Sequence, residues 1–128
     1  METAVDFFFQ HQYDQAGLMV RVSPECWIKT SIEHEPHEKN WLGAVVTNSG
    51  FSDWSTQKLP DNVENLHFRI TREKSDYLVE YRESSGADWI QLRLAHLQDT
   101  ERVQCGLYAC SPKNGGFTAK FHYIEINF

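Results

Sequence analysis

Apolar and polar side chains alternate with a period of two along almost the whole chain. Leu66, Phe68 and Ile70 are interleaved with His67, Arg69 and Thr71, and Cys105, Leu107 and Ala109 with Gln104, Gly106 and Tyr108. Successive residues of a strand face opposite ways, so the pattern predicts half-buried strands. The same alternation sets Ala16, Leu18 and Val20 against Met19 and Arg21, and Ile28, Thr30 and Ile32 against Trp27, Lys29 and Glu33. Runs over residues 5–10, 41–48, 77–82, 89–95 and 117–128 bring the expectation to about nine strands of roughly 5 to 6 residues or somewhat longer.

Turn-forming residues separate the runs: Ser23-Pro24-Glu25, Pro36, Ser49-Gly50, Leu59-Pro60-Asp61-Asn62, Ser84-Ser85-Gly86 and the stretch from Ser111 to Gly116. Residues 98–102, with Asp99 as N-cap, offer one helical turn, too short to anchor a helix. No composition shift divides the chain, so residues 1–128 are read as a single all-β domain. Many antiparallel strands without crossover helices bury their apolar faces when two sheets pack together, which predicts a sandwich.

Parity then assigns faces. With Ala16/Leu18/Val20, Ile28/Thr30/Ile32, Val79/Tyr81, Ile90/Leu92/Leu94 and Cys105/Leu107/Ala109 turned inward, their neighbours Met19, Arg21, Trp27, Lys29, Glu33, Glu80, Arg82, Trp89, Gln91, Arg93 and Tyr108 turn outward. Four cations, two acids and three aromatics in that outward set resemble the lining of a groove. The expectation is that they gather into one hollow.

Composition narrows the partners. Twelve basic against eighteen acidic residues leave a net charge of −6, the wrong sign for a protein that gains affinity by neutralising phosphates. Nucleic acid is therefore not the expected partner. At 41% apolar and 13% aromatic the chain has the makings of a core. Apolar runs such as Phe7-Phe8-Phe9 are far shorter than the roughly 20 residues that span a bilayer, and the acidic start Met1-Glu2-Thr3-Ala4-Val5-Asp6 is unlike a signal peptide. Three cysteines cannot all pair within the chain, which points to a reducing, cytoplasmic setting.

Several motifs follow one another in a familiar order: Tyr13-Asp14-Gln15-Ala16-Gly17-Leu18-Met19-Val20-Arg21, Trp27-Ile28-Lys29-Thr30-Ser31-Ile32-Glu33, Val45-Val46-Thr47, Ser52-Asp53-Trp54-Ser55 and Gly106-Leu107-Tyr108-Ala109-Cys110-Ser111-Pro112. Together, over about Phe7 to Phe128, they resemble the domain family of unassigned function that includes the fungal regulation-of-enolase proteins. The resemblance implies a concanavalin A-like lectin/glucanase jelly-roll of two antiparallel sheets. It also implies a link to enzymes of sugar metabolism, and it supplies no catalytic residue. Two departures stand out: Ser31 occupies a position where relatives tend to carry Gly, and only about a dozen residues precede the Tyr13 motif. A missing edge strand would leave a sheet edge open to a second copy, so a homodimer through that edge is expected.

A retaining glycosidase needs carboxyls ~5 to 5.5 Å apart. Glu33-His34-Glu35-Pro36-His37-Glu38 is interrupted by proline and reads as a hairpin tip, whereas Glu33 with Glu80 on neighbouring strands is the better-placed pair. His34 and His37 lack a third metal ligand, and Asp53, Asp61 and Asn62 fall short of a calcium cage, so no metal or cofactor is expected. Cys105 reads as core and Cys110 as a strand-end thiol with no histidine beside it.

What remains is recognition. Trp27, Trp54 and Trp89 can stack on the apolar face of a sugar, and Arg21, Lys29, Arg82 and Arg93 can hold an anion. The favoured reading is a non-enzymatic, lectin-like binding module for a carbohydrate-like or anionic small molecule. A module acting on a metabolic enzyme is the alternative, and a glycoside hydrolase comes third.

Overall fold

A computed structural model describes residues 1–60 and 62–128, so Asp61, the loop oxygen offered above for calcium, lies outside the described residues. Ten strands occur among those residues: β1 (Glu2–Phe8), β2 (Gln15–Ser23), β3 (Cys26–Glu33), β4 (Trp41–Asn48), β5 (Phe51–Lys58), β6 (Asn65–Glu73), β7 (Asp76–Arg82), β8 (Ile90–His96), β9 (Gln104–Cys110) and β10 (Thr118–Glu125). They form two five-stranded antiparallel sheets, the first in the order β10-β1-β6-β7-β8 and the second in the order β5-β4-β3-β2-β9. No helix of the structure is long and apolar enough to cross a membrane.

The core lies where the inward rows meet. Val5 and Phe68 of the first sheet and Leu18, Ile28, Ile32 and Leu42 of the second are fully buried. Each such side chain contributes about 1.5 to 3 kcal/mol by leaving water, which sets the register of the central strands.

β5 was not among the predicted strands. Its sequence, Phe51-Ser52-Asp53-Trp54-Ser55-Thr56-Gln57-Lys58, carries no apolar face, because it is an edge strand whose residues are almost all exposed. Backbone pairing with β4 holds it in place, from Trp41 opposite Lys58 to Asn48 opposite Phe51.

Parity fails in β8. Val79 faces Arg93 and Glu80 faces Gln91, so Leu92 is an extra residue, a β-bulge that reverses the faces beyond it. Leu94 is thereby turned out, at 61% exposed, while Ala95 and Leu97 are buried. The expected inward row Ile90/Leu92/Leu94 is thus broken. Arg93 points between the sheets rather than outward, where it bridges to Asp53 and donates to Ser55 Oγ at 3.2 Å. Together with Gln57 donating to the Tyr81 hydroxyl at 2.9 Å, this ties one lateral side of the sandwich shut.

The opposite side stays open. Cys105, Leu107 and Ala109 share the core-facing parity of Val20, Leu18 and Ala16, their partners on β2, yet all three are exposed. β9 is an edge that the first sheet does not cover, so Cys105 is not a core residue. Residues 98–102 form no helical turn.

Candidate functional site

Gly17, Ser31 and Gly43 lie side by side on β2, β3 and β4, on the outward face of the second sheet. A Cβ added at Gly17 would fall 1.9 Å from the Thr30 carbonyl oxygen, and one at Gly43 would fall 2.3 Å from that of Ser55. Strands crowd one another on the side toward which a sheet bends, and at these two positions only glycine fits, while Ser31 between them keeps its side chain. The row is the floor of that bent face, with Tyr108 opposite Gly17 at one end and Thr56 opposite Gly43 at the other.

An indole forms one wall. Trp54 of β5 sets its Nε1 3.1 Å from where a Gly43 Cβ would stand, and packs edge-on against Trp41 with ring centroids 6.3 Å apart. About half of Trp54 is exposed. The Lys58 ammonium sits 3.5 Å from the Trp41 ring centroid and pairs with Glu38 at 3.1 Å.

The other wall is a polar network. Lys29 Nζ donates to Gln15 Oε1 at 2.9 Å and to the Tyr108 hydroxyl at 2.8 Å, and lies 4.7 Å from the Tyr108 ring centroid. Tyr108 in turn donates to Gln15 Oε1 at 2.6 Å, while Gln15 Nε2 donates to Glu33 Oε2 at 3.1 Å and to the Tyr13 carbonyl at 3.0 Å. Burial holds Lys29 below the usual lysine range, pushes the Glu33 carboxyl up against the opposing pull of Lys29, and raises the Tyr108 phenol. Among the described residues no carboxylate lies within ion-pairing distance of the Lys29 ammonium. Gln15 relays it to Glu33 as a neutral bridge.

A buried carboxylate anchors the loops at this end of the face. Asp14 accepts hydrogen bonds from the backbone N–H groups of Gln10 and His11, each at 2.9 Å, and from the Ser111 hydroxyl. Burial opposes its ionisation, but these donors outweigh it and keep the carboxyl below the ordinary aspartate range. The loop before β2 is thereby joined to the loop after β9, which carries Tyr108.

The structure splits the predicted hollow. Arg21, Trp27, Lys29, Glu33, Trp54 and Tyr108 share the bent face, although Arg21 is turned to Gln104 Oε1 at 2.9 Å and Trp27 to the Pro24 carbonyl at 3.2 Å, beside the floor rather than on it. Glu80, Arg82, Trp89 and Gln91 belong to the outer face of the first sheet, on the far side of the molecule. There Arg69 bridges Glu80 at 2.7 Å, and the guanidinium groups of Arg69 and Arg82 rest 4.2 and 4.3 Å from the Trp89 ring centroid. Arg93 belongs to neither face. Glu33 and Glu80, on opposite outer surfaces, cannot flank one glycosidic bond.

Gln15, Trp41 and the glycine floor were missed. The alternation that sends Met19 and Arg21 outward also sends Gln15 and Gly17 outward, and Trp41 alternates with the buried Leu42, so the signal was present. It was overlooked because glycine reads as a break and glutamine as ordinary surface. Among the described residues no cluster of His, Cys, Asp and Glu is placed to hold a metal ion.

Three comparisons bear on this architecture. A model of the family described as "Protein of unknown function (DUF1349)" matches residues 1–128. The curated protein "Regulation of enolase protein 1" of Saccharomyces cerevisiae is 35% identical over 114 residues, covering 88% of this chain and 56% of that protein. A crystal structure titled as a functionally unknown protein from the same yeast superposes with a TM-score of 0.85 at 32% identity, over 94% of this chain and 63% of that one. The chain thus spans little more than half the length of these relatives. A xylan beta-1,4-xylosidase from Bacillus halodurans C-125 shares the fold, with a TM-score of 0.73 at 16% identity over 94% of this chain and 26% of its own.

Proposed function

The chain belongs to the DUF1349 family and has its concanavalin A-like sandwich, and from that premise we propose that it is a non-enzymatic binding module. Its bent face takes a carbohydrate-like or anionic small molecule. The observation that carries this reading is the Gly17–Ser31–Gly43 floor, walled by Trp54 on one side and by the Lys29–Gln15–Tyr108 network on the other. A floor without bulky side chains lets a flat ring approach the backbone, and an indole matches the apolar face of a sugar. The Lys29 ammonium, held by neutral groups alone, supplies the counter-charge for a carboxylate or phosphate. The three cysteines are free, which suits a cytoplasmic setting.

Calorimetry with a uronic acid oligosaccharide, a sugar phosphate and the matching neutral sugar tests the reading. Binding is expected for at least one anionic ligand, weakened by Trp54→Ala and by Lys29→Met. Because Lys29 titrates below an exposed lysine, anion affinity is expected to decline with rising pH before an exposed lysine would lose its proton. Binding unaffected by both substitutions, or no binding to any of the three, would sink the proposal. A second reading is favoured by the name of the yeast relative: the same face serves a regulator that responds to a sugar metabolite and acts on an enzyme of sugar metabolism.

A further inference from the structure

One lateral side of the sandwich is closed by side chains and the other presents two free strand edges, β9 and β10, with exposed apolar residues between them: Leu107 and Ile124 are each 44% exposed. Apolar surface beside unpaired backbone is a site for strand addition. The pattern of faces along β10 says what fits there.

β10 carries a bulge. Val5 faces Phe121 and Ala4 faces Tyr123, so His122 is an extra residue. Phe121 and Ile124 lie opposite the buried Val5 and Thr3 and therefore face the core. Lys120 and Glu125 lie opposite Asp6 and Glu2, His122 Nε2 reaches Asp6 at 2.9 Å, and the Tyr123 hydroxyl meets Glu2 at 3.1 Å, so these four share the outer face. From residue 120 to residue 125 the faces read outer, inner, outer, outer, inner, outer. That pattern is symmetric about the midpoint between His122 and Tyr123.

We propose that two copies of this chain associate through their β10 edges, antiparallel about that midpoint, joining the two first sheets into one continuous sheet. In this register Lys120 lies opposite Glu125 of the second copy, twice by symmetry, Phe121 lies opposite its Ile124, and His122 lies opposite its Tyr123. Like faces meet like faces and opposite charges meet. A register centred on Lys120 opposes the two lysines and sets Tyr123 against a residue of the other face; one centred on Phe121 sets Ala119, opposite Phe7 on the core side, against Tyr123. A charged, bulged edge ordinarily repels a neighbouring strand, but here charge and bulge are matched to themselves. The inner residues of the second copy extend the apolar layer toward Leu107 and Cys105, and the bent face of the second sheet stays free for ligand.

Sedimentation of the full chain across the micromolar range tests the proposal with Lys120→Glu and Glu125→Lys. With both cross-strand charge pairs made repulsive, each variant is expected to weaken the wild-type dimer roughly tenfold. An equimolar mixture of the two variants, in which both pairs become attractive again, is expected to recover the dimer. Circular dichroism of each variant checks that the monomer is folded, and Ile124→Lys gives an independent weakening. A wild type that stays monomeric overturns the proposal, and a monomer whose Cys105 resists alkylation assigns the open side to another occupant. A dimer indifferent to the substitutions, or a mixture that fails to recover, overturns the register.

Discussion

The two outer faces of the sandwich use the same residue types to opposite ends. On the first sheet, arginine, glutamate and tryptophan satisfy one another: Arg69 is held by Glu80, Arg82 stands 3.9 Å from Glu2, and both guanidinium groups rest on Trp89. Within this cluster only the Arg82 Nε is buried without a hydrogen-bond partner, so little is left there for a ligand to complete. On the second sheet the central ammonium is held by an amide and a phenol, and the floor beside it carries almost no side chain. A cluster rich in charge and aromatics is thus a poor marker of a binding face until its internal pairings are known.

Four substitutions sharpen that contrast, from the largest effect to the smallest. Gly17→Ala forces a methyl group into the Thr30 carbonyl and is expected to cost about 3 kcal/mol, read as a lowered urea midpoint at unchanged slope. Glu80→Ala strips the buried partner from Arg69 and is expected to cost about 2 kcal/mol while leaving ligand affinity as it was, which calorimetry checks. Trp54→Ala should do the reverse: roughly tenfold weaker ligand binding, about 1.4 kcal/mol, with the thermal midpoint nearly unmoved because the indole sits on an exposed edge strand.

The smallest effect is a pH dependence confined to the first face. Burial, then the charge of Arg82, holds His67 below the ordinary histidine value of 6.5. The unfolded chain therefore binds the proton more readily, and stability is expected to fall as pH drops below 6.5. Because His67 is only partly buried, screening by solvent keeps this effect small. Comparing urea midpoints of the wild type and His67→Gln at pH 7 and pH 5.5 tests it; equal losses would remove His67 from the account.

The alternation of apolar residues revealed nearly all of the architecture, because central strands such as β3 and β6 must bury one face. It missed β5, whose stability comes from backbone pairing with β4 and not from any buried side. It misplaced Arg93 because a bulge leaves no mark in a single sequence: Leu92 looks like one more step of the alternation until pairing with β7 shows it to be surplus. The site was half legible. Parity correctly sent Lys29, Glu33 and Tyr108 to one surface, yet it could not say that Glu80, Arg82 and Trp89 belong to another sheet, since spacing along a chain carries no information about which strands become neighbours.

Ser31 stands between Gly17 and Gly43 in the row across the second sheet. Its hydroxymethyl group is the one side chain in the row, set beside the Trp54 wall and the Lys29 network to which the proposed ligand would bind. The apolar core lies on the reverse of the strand, so exchanging this one residue for alanine is expected to act on selectivity more than on the packing between the sheets.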